Sequence, residues 1–154
     1  MMYVQIPETD VPFSLLLEAD PSEKHINSYL PGSRCFAAID FGHIKGICVA
    51  KEINTSTAEI FNISVSPKLQ KQGIGSKLLK FSLLELASKG IQHVELGTGT
   101  FGYQLEFYQR QGFRVESIVK DHFLDNYDKP IMENGIQHKD MLRLYINLDH
   151  TVNK

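Results

Sequence analysis

The feature that most constrains this chain is a glycine-bearing loop set between an apolar run and an amphipathic segment. Ile60-Phe61-Asn62-Ile63-Ser64-Val65 has the β-branched and aromatic content of a buried strand, and Ser66-Pro67 ends it. Gln70-Lys71-Gln72-Gly73-Ile74-Gly75-Ser76 follows. After it, Leu79, Leu83, Leu86 and Ala87 fall on one helical face, widened by Leu78, Phe81 and Leu84, and Lys89-Gly90 closes the helix. A strand feeding a glycine loop feeding a helix start suits an anion. The first-turn N–H groups lack helical partners, the dipole end is positive, and glycine lets a phosphate approach the backbone. A nucleotide P-loop is excluded, because it needs glycine, four residues, then Gly-Lys-Ser/Thr. Here the order is Gly75-Ser76-Lys77, and position 70 is Gln.

The rest of the chain reads as one domain, residues 1–154, large enough to bury roughly two-thirds of its unfolded surface. Tyr3 to Ile6 forms a short strand, Phe13 to Ala19 a first helix, and Asp20-Pro21-Ser22-Glu23 the start of a second, with Asp20 as N-cap. Strands over Arg34–Ile39 and Ile44–Ile53 flank the turn Asp40-Phe41-Gly42-His43, and a third ends at Val65. Beyond the long helix come a strand at Val94-Glu95-Leu96, a glycine-rich segment 97–102, and a short helix over Gln104–Gln111 closed by Gly112. A strand over Phe113–Val119 and an irregular segment of about 121–139 follow, with a turn at Asn134-Gly135. The last element alternates cleanly: Leu142, Leu144, Ile146 and Leu148 against Met141, Arg143, Tyr145 and Asn147. The order β-α-α-β-β-β-α-β-α-β-β predicts an α/β (α+β) fold with helices packed on a mixed sheet.

Charge and cysteine content exclude several classes. A net charge of −2 gives no basic face for nucleic acid. No apolar run reaches membrane-spanning length and the start lacks a signal-peptide pattern, so a cytoplasmic location is expected. Cys35 and Cys48 are too few for a disulfide scaffold. A turn at Phe41-Gly42 places them opposite one another in the hairpin, as reduced thiols. Six scattered histidines (25, 43, 93, 122, 138, 150) form no i,i+4 pair and no Cys/His cluster, so no metal is expected. His122 and His138 flank the 121–139 segment, where they can meet a substrate.

The 70–76 loop resembles the acetyl-CoA loop of the GCN5-related N-acetyltransferases (the GNAT family), Gln/Arg-x-x-Gly-x-Gly/Ala, with Gln70, Gly73 and Gly75 at the fixed positions. A second stretch, Tyr108-Gln109-Arg110-Gln111-Gly112-Phe113-Arg114, resembles the family's helix tyrosine followed by Gly-Phe at the next strand. The element order is also similar over nearly the whole chain. The resemblance implies a mixed, mostly antiparallel central sheet of about seven strands flanked by about four helices, binding acetyl-CoA as co-substrate. It implies that Gln70, Lys71, Gln72, Gly73, Ile74, Gly75 and Ser76 hold the pyrophosphate, and that amides of Ile63, Ser64 and Val65 on a bulged strand stabilise the oxyanion. Tyr108 matches the general acid to the CoA sulfur, a role open to a phenol of ordinary pKa ~10. Without that resemblance Tyr108 reads as a packing aromatic. Glu59 stands where many members place a carboxylate that deprotonates the amine through water. An ordinary Glu pKa of ~4.3 needs that relay, and a solvated strand-end carboxylate is an equal reading. Where many members carry Asn, this chain has Thr98 and Thr100; Thr98 is the residue assigned to the cofactor.

Gly97-Thr98-Gly99-Thr100-Phe101-Gly102 is also a literal Gly-x-Gly-x-x-Gly, with Asp121 about twenty residues on. A dinucleotide fold fails on the remaining 52 residues, on the very short following helix, and on the antiparallel hairpin upstream. In the GNAT reading these glycines open the sheet for the pantetheine arm. Acids on the N-terminal helices and on 121–139 oppose lysines 68, 71, 77 and 80 near the loop, which suits anionic CoA at one end and a cationic amine acceptor at the other. Solvated surface charge reads as well. An edge strand leaves a homodimer open. The rival function is an acyl-CoA-binding module without turnover.

Overall fold

A computed structural model of the chain describes residues 1–148. Its contacts divide it into two compact units, residues 1–92 with Leu148, and His93–Asn147. His150 lies outside the described residues.

The first unit is an antiparallel meander, β1 (Met2–Ile6), β2 (Arg34–Asp40), β3 (His43–Glu52) and β4 (Thr57–Val65), in that spatial order. Three helices cover it: α1 (Phe13–Leu16), α2 (Glu23–Tyr29) and α3 (Ile74–Ser88). Cys35, Ala37, Ile47 and Val49 meet Leu15, Leu16, Ile26 and Tyr29 beneath α1 and α2. The alternate residues face α3, where Phe36 stands edge-on to Phe81 at 6.1 Å between centroids. Helices on both faces explain why residues 35–38 and 47–50 are buried without alternation.

Three expectations are corrected here. The helix from Phe13 is only four residues long, because its C-terminal N–H groups switch to i→i−3 bonds and the residue before Pro21 disfavours α geometry. The N-cap of α2 is Ser22, whose Oγ accepts from the His25 N–H at 3.2 Å. Asp20 instead accepts from the Ser22 N–H and, buried, from the Tyr29 hydroxyl at 3.0 Å. Cys35 and Cys48 are not opposite one another. Lys45 is an extra residue between Ala38↔Gly46 and Ile39↔Ile44, and this bulge pairs Cys35 with Val49 and Cys48 with Phe36. Both thiols are buried and free, and burial pushes Cys48 up to about 12.

The second unit has β5 (His93–Gly99), β6 (Arg114–Val119) and β9 (Met141–Asn147), with β9 between β5 and β6 and antiparallel to both. With the four strands of the first unit these make the expected seven. Helix α4 (Tyr103–Arg110) ends where expected, with Gly112 at φ 103°. The segment predicted to be irregular contains α5 (His122–Asn126) and a hairpin, β7 (Ile131–Glu133) and β8 (Ile136–His138), turned by Asn134 and Gly135, both at positive φ. Among the described residues there are five α-helices, in keeping with the expected number of about four. Among the described residues no helix is long and apolar enough to cross a membrane.

Candidate functional site

In the first unit, β4 runs into a 3₁₀ turn over Pro67–Leu69 and then the 70–76 loop. Gln70 Nε2 donates to the Val65 carbonyl at 3.0 Å, tying the loop to the strand end. Lys71 and Gly73 both take left-handed backbone, φ 65° and 83°, and Gly73 is the N-cap of α3. No side chain caps that helix, and a Cβ on Gly73 would meet nothing within 4 Å. Residues 70–73 are exposed, while Ile74 is buried beneath them. The result is a helix N-terminus presented on an open surface, with the exposed cations Lys68, Lys71, Lys77 and Lys80 around it.

The upstream strand differs from expectation in where it bulges. Val49 pairs with Asn62 and Ala50 with Ile60, so Phe61 is the extra residue, not one of Ile63, Ser64 and Val65. Asn62 and Ser64 are buried. Asn62 Nδ2 donates to the Leu16 carbonyl and to the Tyr29 hydroxyl, each at 3.0 Å, and Ser64 Oγ donates to Asn62 Oδ1 at 2.6 Å. With Asp20 accepting from Tyr29, this gives a continuous buried chain, Asp20–Tyr29–Asn62–Ser64, that links the helix 1–2 region to β4. The sequence signal for it is two polar residues inside an apolar strand. Glu59 is half-buried, opposite Lys51.

In the second unit, Tyr108 is buried on α4 in edge-on contact with Phe107 at 5.3 Å and Phe113 at 5.7 Å. The Phe113 N–H donates to the Tyr108 carbonyl. Thr98 is buried too, and its Oγ1 has no hydrogen-bonding partner among the described residues. The glycines around it are not open space. A Cβ on Gly97 would overlap Met141, on Gly99 the His138 ring, and on Gly102 the Glu133 carboxylate. Side chains of Met141, His138 and Glu133 thus stand where a side chain at each of these glycines would point.

Three further groups, unrecognised in the sequence, lie across β5 and β6. His93, Glu95 and Glu116 bring their ligand-type atoms within 4.8 Å of one another. Glu95 is already paired with Arg143 at 3.1 Å, and His93 contacts Asn147 at 2.8 Å, so the group works as a cross-strand polar network.

A family described as acetyltransferase (GNAT) domain matches residues 31–115. An uncharacterised N-acetyltransferase of Bacillus subtilis strain 168 is 40% identical over 137 residues, 88% of each chain. Among solved structures, an IAA acetyltransferase from Bacillus cereus is 40% identical with TM-score 0.90, covering 96% of this chain and 99% of its own. A GNAT family acetyltransferase from Elizabethkingia anophelis, solved with acetyl-CoA bound, is 40% identical with TM-score 0.88, covering 95% and 98%. The chain belongs to the GNAT family of acetyltransferases.

Proposed function

We propose that this acetyltransferase uses acetyl-CoA to acetylate a primary amine by direct attack, with a small-molecule or peptide acceptor. The observation that carries the reading is the 70–76 loop. Two left-handed residues lead from β4 into a helix N-terminus that no side chain caps, on an exposed cationic surface. The relative solved with acetyl-CoA supports the choice of anion.

Backbone amides of residues 73–76 bind the pyrophosphate, and amides of Ile63, Ser64 and Val65 receive the negative charge that develops on the thioester carbonyl oxygen. The neutral amine attacks the carbonyl carbon, the C–S bond breaks, and Tyr108 gives its phenolic proton to the departing thiolate. Glu59 takes the proton lost by the amine through a bridging water. Thr98 contributes a hydroxyl that finds no partner among the described residues and bonds the pantetheine. Acids on the N-terminal helices and on 121–139 favour a cationic acceptor.

The test is titration of acetyl-CoA into wild type and Tyr108→Phe, followed by CoA-thiol release over a panel of amines. Binding by both proteins, with turnover reduced roughly 100-fold or more only in the variant, is the expected result. Equal turnover in both would remove Tyr108 from the acid's role. Binding with no turnover on any amine would favour the rival binding module.

A further inference from the structure

The side chains that fill the second glycine segment do more than pack. Glu133 Oε1 accepts from His138 Nε2 at 2.8 Å, and Glu133 Oε2 accepts from the Tyr103 N–H at 3.1 Å, the first residue of α4. His138 is nine-tenths buried, stacked on Phe101 with centroids 4.0 Å apart and planes 10° from parallel. Its ring lies where a Cβ of Gly99 would be, and the Glu133 carboxylate where a Cβ of Gly102 would be. The carboxylate fixes the tautomer, with the proton on Nε2. That leaves Nδ1 as a buried nitrogen with no partner among the described residues. Burying an unmet polar atom costs stability. The arrangement is retained only if the contacts on the other side of the ring offset that cost.

From this cap an aromatic series runs along α4. Tyr103 lies parallel to Phe107 at 6.5 Å, Phe107 is edge-on to Tyr108, and Tyr108 is edge-on to Phe113. We propose that Glu133 and His138 are positioning residues for the reaction: they latch the β7–β8 hairpin onto the β5–α4 turn and so fix the helix that carries Tyr108. This rests on the reading of Tyr108 as general acid. The carboxylate is also electrostatically matched to the helix N-terminus, whose first N–H groups have no helical acceptor.

The test begins with NMR on the full chain, which requires no acceptor amine. Wild type should show His138 as the Nε2–H tautomer and a slowly exchanging Tyr103 amide. In Glu133→Ala the Tyr103 amide should exchange at least about 10-fold faster, and the Tyr108 ring resonances should move. Glu133→Gln keeps an oxygen for the Tyr103 N–H but turns an amide N–H₂ toward His138, so it should restore the amide and reverse the tautomer. In turnover assays Glu133→Ala should lose roughly 10- to 100-fold in kcat with an unchanged KM for acetyl-CoA, and Glu133→Gln should recover part of the loss. A merely structural role would lower stability and leave kcat of the folded fraction alone. Unshifted Tyr108 resonances in Glu133→Ala would overturn the proposal. An unaltered kcat there, alongside a crippled Tyr108→Phe, would overturn it while leaving the acid in place. An active Tyr108→Phe would instead remove the acid reading, and the Tyr103 amide would still report whether the latch exists.

Discussion

Residues 70–76 and 97–102 are both glycine segments between a strand and a helix, and the structure treats them in opposite ways. At Gly73 the space a side chain would occupy is open, the backbone is left-handed, and the helix N-terminus behind it has no side-chain cap. At Gly97, Gly99 and Gly102 the same space holds Met141, His138 and Glu133, and the helix N-terminus is capped by that glutamate. A glycine pattern therefore says only that something comes close to the backbone. In the first segment the space beside the backbone is left open at Gly73. In the second the chain approaches itself, so packing alone accounts for a literal Gly-x-Gly-x-x-Gly here.

The largest expected effect comes from placing a charge in the open segment. Gly73→Glu sets a carboxylate against the pyrophosphate, and acetyl-CoA affinity should fall roughly 100-fold or more by calorimetry. Gly73→Ala separates charge from backbone strain. It meets no neighbour and costs only the left-handed conformation, about 1–2 kcal/mol of stability. Undiminished affinity in Gly73→Glu would show that the first segment is not the anion site.

The filled segment should respond to the opposite kind of change. Gly99→Ala drives a methyl into the His138 ring, which is stacked on Phe101, and should destabilise by about 1–3 kcal/mol in chemical denaturation. Gly97→Ala should cost less, because Met141 is flexible and can swing aside. In a His138→Ala background the Gly99→Ala penalty should largely vanish, since the methyl then enters vacated space. Additive losses in that double mutant would show that the two residues do not oppose one another.

The comparison also marks how far sequence reasoning reaches. Local signals carried the seven strands of the main sheet, α3, the Gly112 helix end and the Asn134-Gly135 turn, because periodicity and positive-φ residues act within a few positions. The conformation of the 70–76 loop was legible for the same reason, a glycine at positive φ leading into a helix being a local signal. Registers were not. One inserted residue, Lys45, separates Cys35 from Cys48, and another, Phe61, moves the bulge of β4, with no composition signal at either. The Asp20–Tyr29–Asn62–Ser64 chain and the attachment of Glu133 to α4 were hidden because Tyr29 and Asn62 lie 33 positions apart, and Tyr103 and Glu133 30. Only the topology brings them together. Asp20 looked like an N-cap because local rules cannot see that Tyr29 claims it.

The smallest effect expected is the pH dependence of the filled segment, and it isolates the latch from packing. Glu133 is held below the ordinary carboxylate range, first by the hydrogen bond from His138, with desolvation opposing and the Tyr103 N–H assisting. A group whose folded pKa is depressed contributes stability above its unfolded pKa, ~4.3 for Glu, and that contribution is lost as pH falls through the folded value. The glutamate side chain is about a third exposed, at 32%, so solvent screening keeps the effect small. Thermal unfolding of wild type and Glu133→Gln should therefore differ at pH 5, and the gap should narrow steadily as pH falls below ~4.3. Gly73→Ala, which alters no ionisable contact, should keep a constant gap from wild type over the same range. A Glu133→Gln gap that persists undiminished to pH 3 would mean that the β7–β8 hairpin is held by its aromatic stacking on Phe101, with the carboxylate contributing nothing to its attachment.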